Sequence, residues 1–501
     1  MLIKNYLILT LCCLMGLSVN AQREILLKKK LKGIDSTINR IMKDWKVAGL
    51  AVGVVYKGEL IYANGFGYRD LEKKLPVTVT TVFPIASCTK PFTSMLVGIN
   101  AADRKLDINR PVNNYLPELE FYTPQLTSMV TAKDMMTHRT GLPRHDWATQ
   151  ANPPMPIDTI IRRIRYLEPS VGIREKVQYN NQMFALLGEL TKKVSGKSWE
   201  EQLKERILLP LEMTETTTAF SSLSKSKEFS RGYVVVNDSL RAGTISTEGA
   251  HPAGSMNSTI TDMAKWLSAC IENGMYKGKQ VLPAAYLKEA TTPQMSTPSR
   301  PNANFPSYPD VFFGDFGYSW LINSYRGHYM VQHSGDLPLF SSNTTFFPTD
   351  SIGIVVLVNK FDATVPEMIS SYIADRLLDL PYKNWNNLIL SMRKRQNTLS
   401  QKASDQAATL KPLPMGLPLN AYVGIYKDLG YGTIEIRLEN EKLVATHNEK
   451  KFAFSHLSGD VFSANVPGGK LKFIIDANLR AIAITGALEE GVKDIVFNRT
   501  K

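Results

Sequence analysis

Apolar runs that suit β-strands stand at both ends of the first 380 or so residues, with helical patterns between them. Residues 48–56 and 60–68 are two such runs joined across Lys57-Gly58, which predicts a β-hairpin. The later strand-like runs are residues 329–333, 344–347 and 352–358. Strands so far apart in sequence share one core if they meet in one sheet, so we predict an antiparallel sheet assembled from both ends.

Helical spacing dominates elsewhere in this part of the chain. An N-terminal amphipathic helix is indicated by the apolar residues Leu31, Ile34, Ile38, Ile41 and Trp45. Further helical patterns occupy residues 92–102, 183–194, 262–271 and 365–378. The predicted fold class is therefore α+β, an α/β sandwich whose antiparallel sheet is flanked by helices and accompanied by a mostly helical subdomain.

The character of the chain changes after residue 383. Residues 384–418 read as a helix running into a linker punctuated by Pro412, Pro414 and Pro418. Beyond it, short β-rich runs alternate with turn residues, which predicts a small antiparallel barrel or sandwich over residues 419–501. We therefore divide the chain into residues 22–383, a linker at 384–418 and a C-terminal β-domain.

The N-terminus has the pattern of a secretory signal peptide. Lys4 precedes an apolar run over residues 6–17, and Val19-Asn20-Ala21 suits a cleavage site. A run of about 12 apolar residues is short of the roughly 20 that a spanning helix needs. We expect residues 1–21 to be removed and the mature protein to be periplasmic. Lipid anchoring through Cys12 is not favoured, because Leu11 precedes it where a small residue is usual.

Two cysteines remain after such cleavage, Cys88 and Cys270, and two lone thiols do not form a disulfide framework. We expect both to be small buried residues. The formal net charge of +13 suits anionic surroundings such as a cell envelope, although a solvated basic face is the favoured explanation. Neither zinc-finger spacing nor a glycine-rich phosphate loop is present, so we expect no nucleic-acid partner.

The first candidate for chemistry is Ser87-Cys88-Thr89-Lys90. If Ser87 opens a helix, the lysine three residues later lies on the same face and reaches the serine oxygen. Pro91 suits a first helical turn. Serine needs a base to become a nucleophile, and lysine is a base only when burial or nearby positive charge lowers its pKa. The same spacing recurs at Ser222, Ser224 and Ser391, so this motif alone is weak.

Two later segments complete a candidate site. In Tyr179-Asn180-Asn181, the tyrosine hydroxyl could shuttle a proton to a leaving group, and the amide of Asn181 could hold a substrate carbonyl. His333-Ser334-Gly335 ends a β-rich run and is followed by Asp336, so a strand edge there could offer backbone groups to an extended substrate.

These three motifs, in this order, resemble those of the serine β-lactamase and DD-peptidase superfamily, specifically its class C β-lactamase-like branch. The resemblance extends to four flanking segments: Gly65-Phe66-Gly67-Tyr68, Phe83-Pro84-Ile85-Ala86, the eight residues 135–142, and Pro252-Ala253-Gly254-Ser255. It covers roughly residues 30 to 380. By this resemblance Ser87 is acylated, with Lys90 and Tyr179 as its base system.

The resemblance also implies substrate-binding roles. Asn181 contacts the substrate, as does the segment His333, Ser334, Gly335 and Asp336, and the backbone N–H groups of Ser87 and Asp336 form the oxyanion hole. The third motif commonly begins with lysine, and His333 in its place is associated with DD-peptidases, D-aminopeptidases and esterases. Leu339 and Thr140 stand where glycine and serine are commoner. These departures weaken antibiotic hydrolysis as the native activity.

Other features have plainer interpretations. Residues 419–501 resemble the small lipocalin-like domain appended to some relatives, through Tyr422-Val423-Gly424, Tyr426 and Tyr431-Gly432; packing or oligomerisation is favoured over substrate binding as its role. His138 and His145 lack a third ligand at suitable spacing, so we predict turn-stabilising roles for them and no metal or other cofactor.

The sequence therefore favours an exported serine hydrolase that cleaves an amide or ester bond. The substrate class is a D-amino-acid peptide, a peptidoglycan-type peptide derived from the cell wall, or a small ester. The alternatives are a true β-lactamase, a penicillin-binding sensor that is acylated without turnover, and a purely structural envelope protein.

Overall fold

A computed structural model describes residue 26 and residues 29–149, 155–244, 251–301, 311–408 and 412–500. The predicted signal peptide, residues 1–21, lies outside the described residues. So do parts of two further segments, residues 146–157 and 296–312, whose Pro-rich sequences predict irregular loops.

Within the described residues, a nine-stranded antiparallel sheet joins the two ends of the first part of the chain, as predicted. Its strands are β1 (Gly49–Tyr56), β2 (Glu59–Asp70), β3 (Leu75–Pro76), β4 (Met295–Pro301), β5 (Val311–Phe316), β6 (Leu321–Tyr325), β7 (His328–Leu337), β8 (Phe340–Phe347) and β9 (Ile352–Val358). Their order is β4-β5-β6-β7-β8-β9-β1-β2-β3. The two sequence ends meet at the pairing of β1 with β9, where Val52 lies opposite Val356.

Helices cover the sheet and build the region between its two halves. They are α1 (Ile34–Trp45), α2 (Lys90–Ala102), α3 (Pro124–Met129), α4 (Ala132–Met136), α5 (Asp146–Thr149), α6 (Ile157–Ile164), α7 (Asn181–Ser195), α8 (Trp199–Leu203), α9 (His251–Gly254), α10 (Ile260–Ile271), α11 (Ala284–Ala290), α12 (Thr364–Leu377) and α13 (Trp385–Ala408). None of those within the described residues is long and apolar enough to cross a membrane.

A second antiparallel sheet of nine strands, counted within the described residues, is nearly closed into a barrel. Its strands are β10 (Gly424–Asp428), β11 (Gly432–Glu439), β12 (Lys442–His447), β13 (Lys450–Ala453), β14 (Ser455–Ser458), β15 (Val461–Ser463), β16 (Lys470–Ile475), β17 (Ala481–Gly486) and β18 (Ile495–Arg499). The order is β13-β12-β11-β10-β18-β17-β16-β15-β14, so only Phe454 separates the two end strands in sequence. Buried residues alternate along β11 and β12, which places every second side chain inside the barrel.

Strand β1 is buried on both faces because it separates two hydrophobic cores. Ala51 and Val55 point into the core beneath the central helices, which continues into the barrel. Leu50 and Val52 point into the opposite core, which α1 and α12 cover. Successive strand side chains face opposite sides of a sheet, so a continuous apolar run is what such a central strand requires.

The predicted hairpin, the helices on both sides of the sheet and the barrel are confirmed. Strands β4 and β5 were not predicted, because their Pro-rich segment was expected to be irregular. Both of the cysteines retained after residue 21, Cys88 and Cys270, are buried and free, as expected.

Candidate active site

Ser87 lies in a 3₁₀ turn, Ala86–Thr89, at the entrance to α2. The α-helix itself begins at Lys90, one turn later than predicted. Side chains three residues apart nearly eclipse in a 3₁₀ turn, so Lys90 still stands over Ser87. Ala86 has a φ of 48°, a left-handed conformation that residues with a Cβ seldom adopt. The strained backbone thus occurs immediately before the candidate nucleophile.

Lys90 has a buried amino group directed at Ser87. Its Nζ lies 3.0 Å from Ser87 Oγ and donates a hydrogen bond of 2.7 Å to the carbonyl of Ala253. The side chain is 0% exposed, and this burial holds the pKa of Lys90 well below its ordinary value. Asp146 opposes the shift and Arg144 adds to it. A neutral amine in this position keeps a lone pair that can accept the Ser87 proton.

Tyr179 closes the other side of the same pair. Lys90 Nζ lies 4.7 Å from the centre of its ring, and its hydroxyl is close enough to Ser87 for the serine side chain to affect its pKa. Burial raises the pKa of Tyr179, whereas the Ser87 side chain lowers it. The net direction is upward, so the phenol holds its proton more firmly, whereas the lysine gives up its proton more readily than usual. The electrostatics therefore favour Lys90 as the base and Tyr179 as a donor that relays a proton.

Asn181 is the first residue of α7, and its half-buried side chain lies at the rim of the site. Asn180 caps this helix by accepting hydrogen bonds from two backbone N–H groups of the first turn. The cap directs the neighbouring Asn181 amide outward, where its Nδ2 donates to Asp146 Oδ1 over 3.1 Å. Nδ2 carries a second hydrogen, and a substrate carbonyl is a suitable acceptor for it.

Gly335 brings strand β7 into close contact with the Ser87 turn. A Cβ at Gly335 would lie 2.2 Å from the carbonyl oxygen of Ile85 and 3.0 Å from the backbone nitrogen of Ser87. Only glycine fits at such a distance. Cys88 secures the same contact, since its Sγ donates to the carbonyl of His333 over 3.2 Å.

The edge of β7 beside the serine is open. Strand β6 pairs with β7 only as far as Gln332, whereas on the opposite side β8 pairs on to Leu337. Within the described residues, the segment from His333 onward therefore has no strand partner on the β6 side. The predicted oxyanion donor, the N–H of Asp336, belongs to this segment, and its carboxylate accepts a hydrogen bond of 2.6 Å from Ser341.

His333 is buried and neutral. The side chain is 2% exposed, and Nδ1 donates to the carbonyl of Ser334 over 2.5 Å. Burial, with a smaller contribution from Lys90, lowers the pKa of His333 to about 3. Among the described residues Nε2 has no hydrogen-bond partner, and the ring centre lies 6.2 Å from that of Tyr179. His333 thus presents a neutral acceptor where a lysine would present a cation.

Three residues that sequence reasoning did not assign to the site also belong to it. His138, predicted only to stabilise a turn, packs its ring 4.4 Å from that of Tyr179 and accepts the N–H of Asn180. Arg144 lies 5.2 Å from the centre of the Tyr179 ring, and Asp146 holds Asn181. Of these three residues, only His138 lies in the flanking segment 135–142, whose resemblance to the family could have indicated its place in the site.

Leu339, which stands where glycine is commoner, has a φ of 78°. Glycine adopts this left-handed conformation with less strain than leucine does. Space for the larger side chain comes from Gly232 and Gly243, where an added Cβ would lie 2.5 Å from atoms of Leu339. The departure is thus accommodated by two glycines on a neighbouring segment.

Comparison with known families divides the chain in two. The family described as Beta-lactamase matches residues 34–376, and a domain of unknown function, DUF3471, matches residues 410–499. Unguisins hydrolase ungD of Aspergillus violaceofuscus is 25% identical over 469 residues, covering 85% of this chain and 81% of that protein. Protein flp of Staphylococcus aureus strain MW2 is 25% identical over 342 residues, covering 67% and 64% respectively.

Two solved structures share the fold. An octameric penicillin-binding protein homologue from Pyrococcus abyssi covers 93% of this chain and 100% of its own, with a TM-score of 0.63 and 21% identity. A class C β-lactamase covers 71% of this chain and 97% of its own, with a TM-score of 0.57 and 18% identity. The first likeness spans both the sheet and the barrel.

Proposed function

This chain belongs to the β-lactamase family, and from that premise we propose that it is an exported serine hydrolase cleaving an amide or ester bond through an acyl-enzyme on Ser87. The observation that carries the proposal is the 3.0 Å separation of Ser87 Oγ from the buried nitrogen of Lys90. A serine so placed beside a neutral amine is an activated nucleophile.

In the proposed reaction, Lys90 accepts the proton of Ser87 as Oγ attacks the substrate carbonyl carbon. The N–H groups of Ser87 and Asp336 hold the oxygen that becomes negative. Tyr179 gives its proton to the leaving nitrogen or oxygen and regains one from Lys90. Water then attacks the acyl-enzyme with the same groups in reversed roles, which releases the acid and free Ser87.

The proposed substrates are acyl donors that do not depend on a permanent cation for binding: a D-amino-acid peptide, a peptidoglycan-type peptide or a small ester. Support comes from His333, which is neutral and buried where a lysine would offer a positive charge to a carboxylate. A screen of D-amino-acid peptides, p-nitrophenyl esters and nitrocefin, with Ser87→Ala as the blank, tests this. Efficient turnover of nitrocefin alone would instead identify a β-lactamase.

A sensor that is acylated without turnover is the second candidate, and the persistence of a label separates the two. We expect a labelled penicillin or fluorophosphonate to react at Ser87, and hydrolysable esters to be released with multiple turnovers. A stoichiometric burst of product without further release would favour the sensor.

Export to the periplasm and self-association are part of the same proposal. Expression of the full chain in a Gram-negative host, followed by N-terminal sequencing of the mature protein, tests cleavage before Gln22. The Pyrococcus homologue is named as octameric, which motivates a sedimentation measurement on this chain. We propose homo-oligomerisation through the barrel, and a monomeric sedimentation coefficient would contradict it.

A further inference from the structure

Among the described residues, the barrel touches the rim of the candidate site through residues 144–148, which we name the rim loop. His145 makes two of these contacts with the barrel. Its backbone N–H donates to Glu489 of the barrel over 2.6 Å, and its Nδ1 lies 2.8 Å from the hydroxyl of Tyr431, also in the barrel. His145 is 0% exposed and has a φ of 46°, so the barrel contacts hold a strained residue in place.

The proton positions on this contact follow from its partners. His145 Nε2 lies 2.9 Å from the carbonyl oxygen of Glu168, which can only accept, so Nε2 carries the proton. Burial lowers the pKa of His145 to about 4, which leaves the ring with one proton at neutral pH. Nδ1 therefore accepts, and the Tyr431 hydroxyl is the donor.

Trp147 forms the second part of the contact. Its ring stacks on that of His447 at a centroid distance of 3.8 Å and an interplanar angle of 20°. Beside it, Arg163 donates to the carbonyl of Ala148 over 2.8 Å and to the side chain of Asn448 over 3.3 Å. The rim loop is thus attached to the barrel on both sides of Asp146.

Asp146 itself faces the site. Its Oδ1 accepts from the amide of Asn181 over 3.1 Å, and its Oδ2 accepts from Arg144 over 2.7 Å. A cleft of about 890 Å³ opens on the same loop, between Arg144 and Trp147 on one wall and Lys450 and Glu489 on the other. The barrel therefore forms one wall of a cleft whose other wall includes Arg144 and Asp146, the two residues that lie beside Tyr179 and Asn181.

We propose that the C-terminal barrel is a positioning element of the active site, in which Tyr431 and Glu489 fix His145 so that Asp146 orients the Asn181 amide toward the acyl side chain of the substrate. The proposal rests on the proposed hydrolase function. It assigns the barrel a role in substrate selection that neither packing nor oligomerisation provides.

The test compares two esters that share the p-nitrophenol leaving group. The p-nitrophenyl ester of N-acetyl-D-alanine has an amide carbonyl that can meet Asn181. The p-nitrophenyl ester of acetic acid lacks such a carbonyl. In the full-length protein, Tyr431→Phe removes only the donor to His145. We expect kcat/KM for the N-acetyl-D-alanine ester to fall about tenfold and that for the acetate ester by less than about threefold, as the loss of one aligned hydrogen bond suggests.

Two controls separate positioning from stability. Tyr426→Phe removes a buried hydroxyl that donates 2.9 Å to the carbonyl of Tyr422 inside the barrel, and it should leave the ratio of the two esters unchanged. Glu489→Gln keeps an acceptor for the His145 N–H and should preserve the ratio, whereas Glu489→Ala should lower it.

Equal losses for both esters, an unchanged ratio in Tyr431→Phe, or the same change in Tyr426→Phe would overturn the inference. Labelling of Ser87 by a fluorophosphonate in each variant distinguishes failure of the proposed hydrolase function from failure of the positioning role of the barrel. A wild-type protein that neither labels nor hydrolyses the esters removes the proposed function as well, whereas labelling with an unchanged ratio removes only the role of the barrel.

Discussion

Lys90 Nζ and Ser87 Oγ lie 3.0 Å apart in a pocket that leaves the lysine side chain fully buried. The hydroxyl of Tyr179 is close enough to the same serine for Ser87 to lower its pKa, although burial raises it more. Burial lowers the pKa of the lysine and raises that of the tyrosine, so one group is suited to remove a proton and the other to deliver it.

Because they move one proton, Lys90 and Tyr179 should behave as a unit. Lys90→Ala and Tyr179→Phe should each slow acylation by about a hundredfold or more, the usual contribution of general acid–base catalysis. The double variant should lose less than the product of the two factors, since removing either breaks the same proton path. Stopped-flow acylation rates give the comparison, and strict multiplication of the two losses would show independent roles.

Gly335→Ala should reduce kcat/KM about a hundredfold, because the new Cβ must displace β7 from the Ser87 turn, and small misplacements of reacting groups carry losses of that size. The matched control is Gly254→Ala, whose Cβ would meet nothing closer than 3.6 Å. Circular dichroism should show both variants folded. Full activity in Gly335→Ala would mean that β7 does not set the geometry of the site.

His333→Lys should shift preference toward carboxylate-bearing β-lactams. The substitution replaces a neutral ring with an amine that a bound carboxylate would hold in its charged form, and such an ion pair in a partly desolvated site contributes about 1–3 kcal/mol, or roughly ten- to a hundredfold in specificity. The ratio of kcat/KM for nitrocefin to that for p-nitrophenyl acetate measures the shift. An unchanged ratio would mean that His333 does not face the carboxylate.

The buried histidines should destabilise the folded protein as the pH falls below about 6.5, whereas Glu367, whose pKa burial raises to about 7, contributes in the opposite direction. The pKa values of His333 and His145 are lowered to about 3 and about 4, so the unfolded chain binds protons first as the pH falls. Their contribution to stability is complete above about pH 6.5 and is lost below it, at up to about 1.4 kcal/mol per pH unit for each group.

Urea unfolding at pH 7.0, 6.0 and 5.0 measures this slope. His333→Gln, which cannot titrate, should show a slope smaller by up to the contribution of one histidine. A slope in His333→Gln equal to that of the wild type would contradict the buried neutral state of His333.

Local sequence patterns predicted most of the helices and strands but few of the side-chain contacts between them. The β1–β2 hairpin and helix α7 were predictable, because their apolar periodicity and turn residues lie within short windows. The start of α2 was misplaced by one turn, since a 3₁₀ turn and an α-helix share the i to i+3 pattern that Ser87 and Lys90 satisfy.

The rim loop shows why the remainder escaped prediction. His145 and Tyr431 are in contact, yet they lie far apart in the sequence, and Tyr431 belongs to the C-terminal barrel. No local periodicity links them. The contact of Lys90 with the carbonyl of Ala253 could not be predicted either, because a backbone carbonyl has no side-chain signature in the sequence. Sequence motifs identified the side chains with chemistry, and the structure adds those that hold them.

The most direct test of the account is the site of covalent modification. After reaction with a fluorophosphonate, intact mass and peptide mapping should find one adduct, on Ser87, and the Ser87→Ala protein should carry none. That variant should remain folded, because the Ser87 hydroxyl caps no helix and its loss leaves the backbone of the 3₁₀ turn unchanged. It should hydrolyse p-nitrophenyl esters at less than about a thousandth of the wild-type rate. An adduct on any other residue, or activity above that level in Ser87→Ala, would contradict the assignment of Ser87 as the nucleophile.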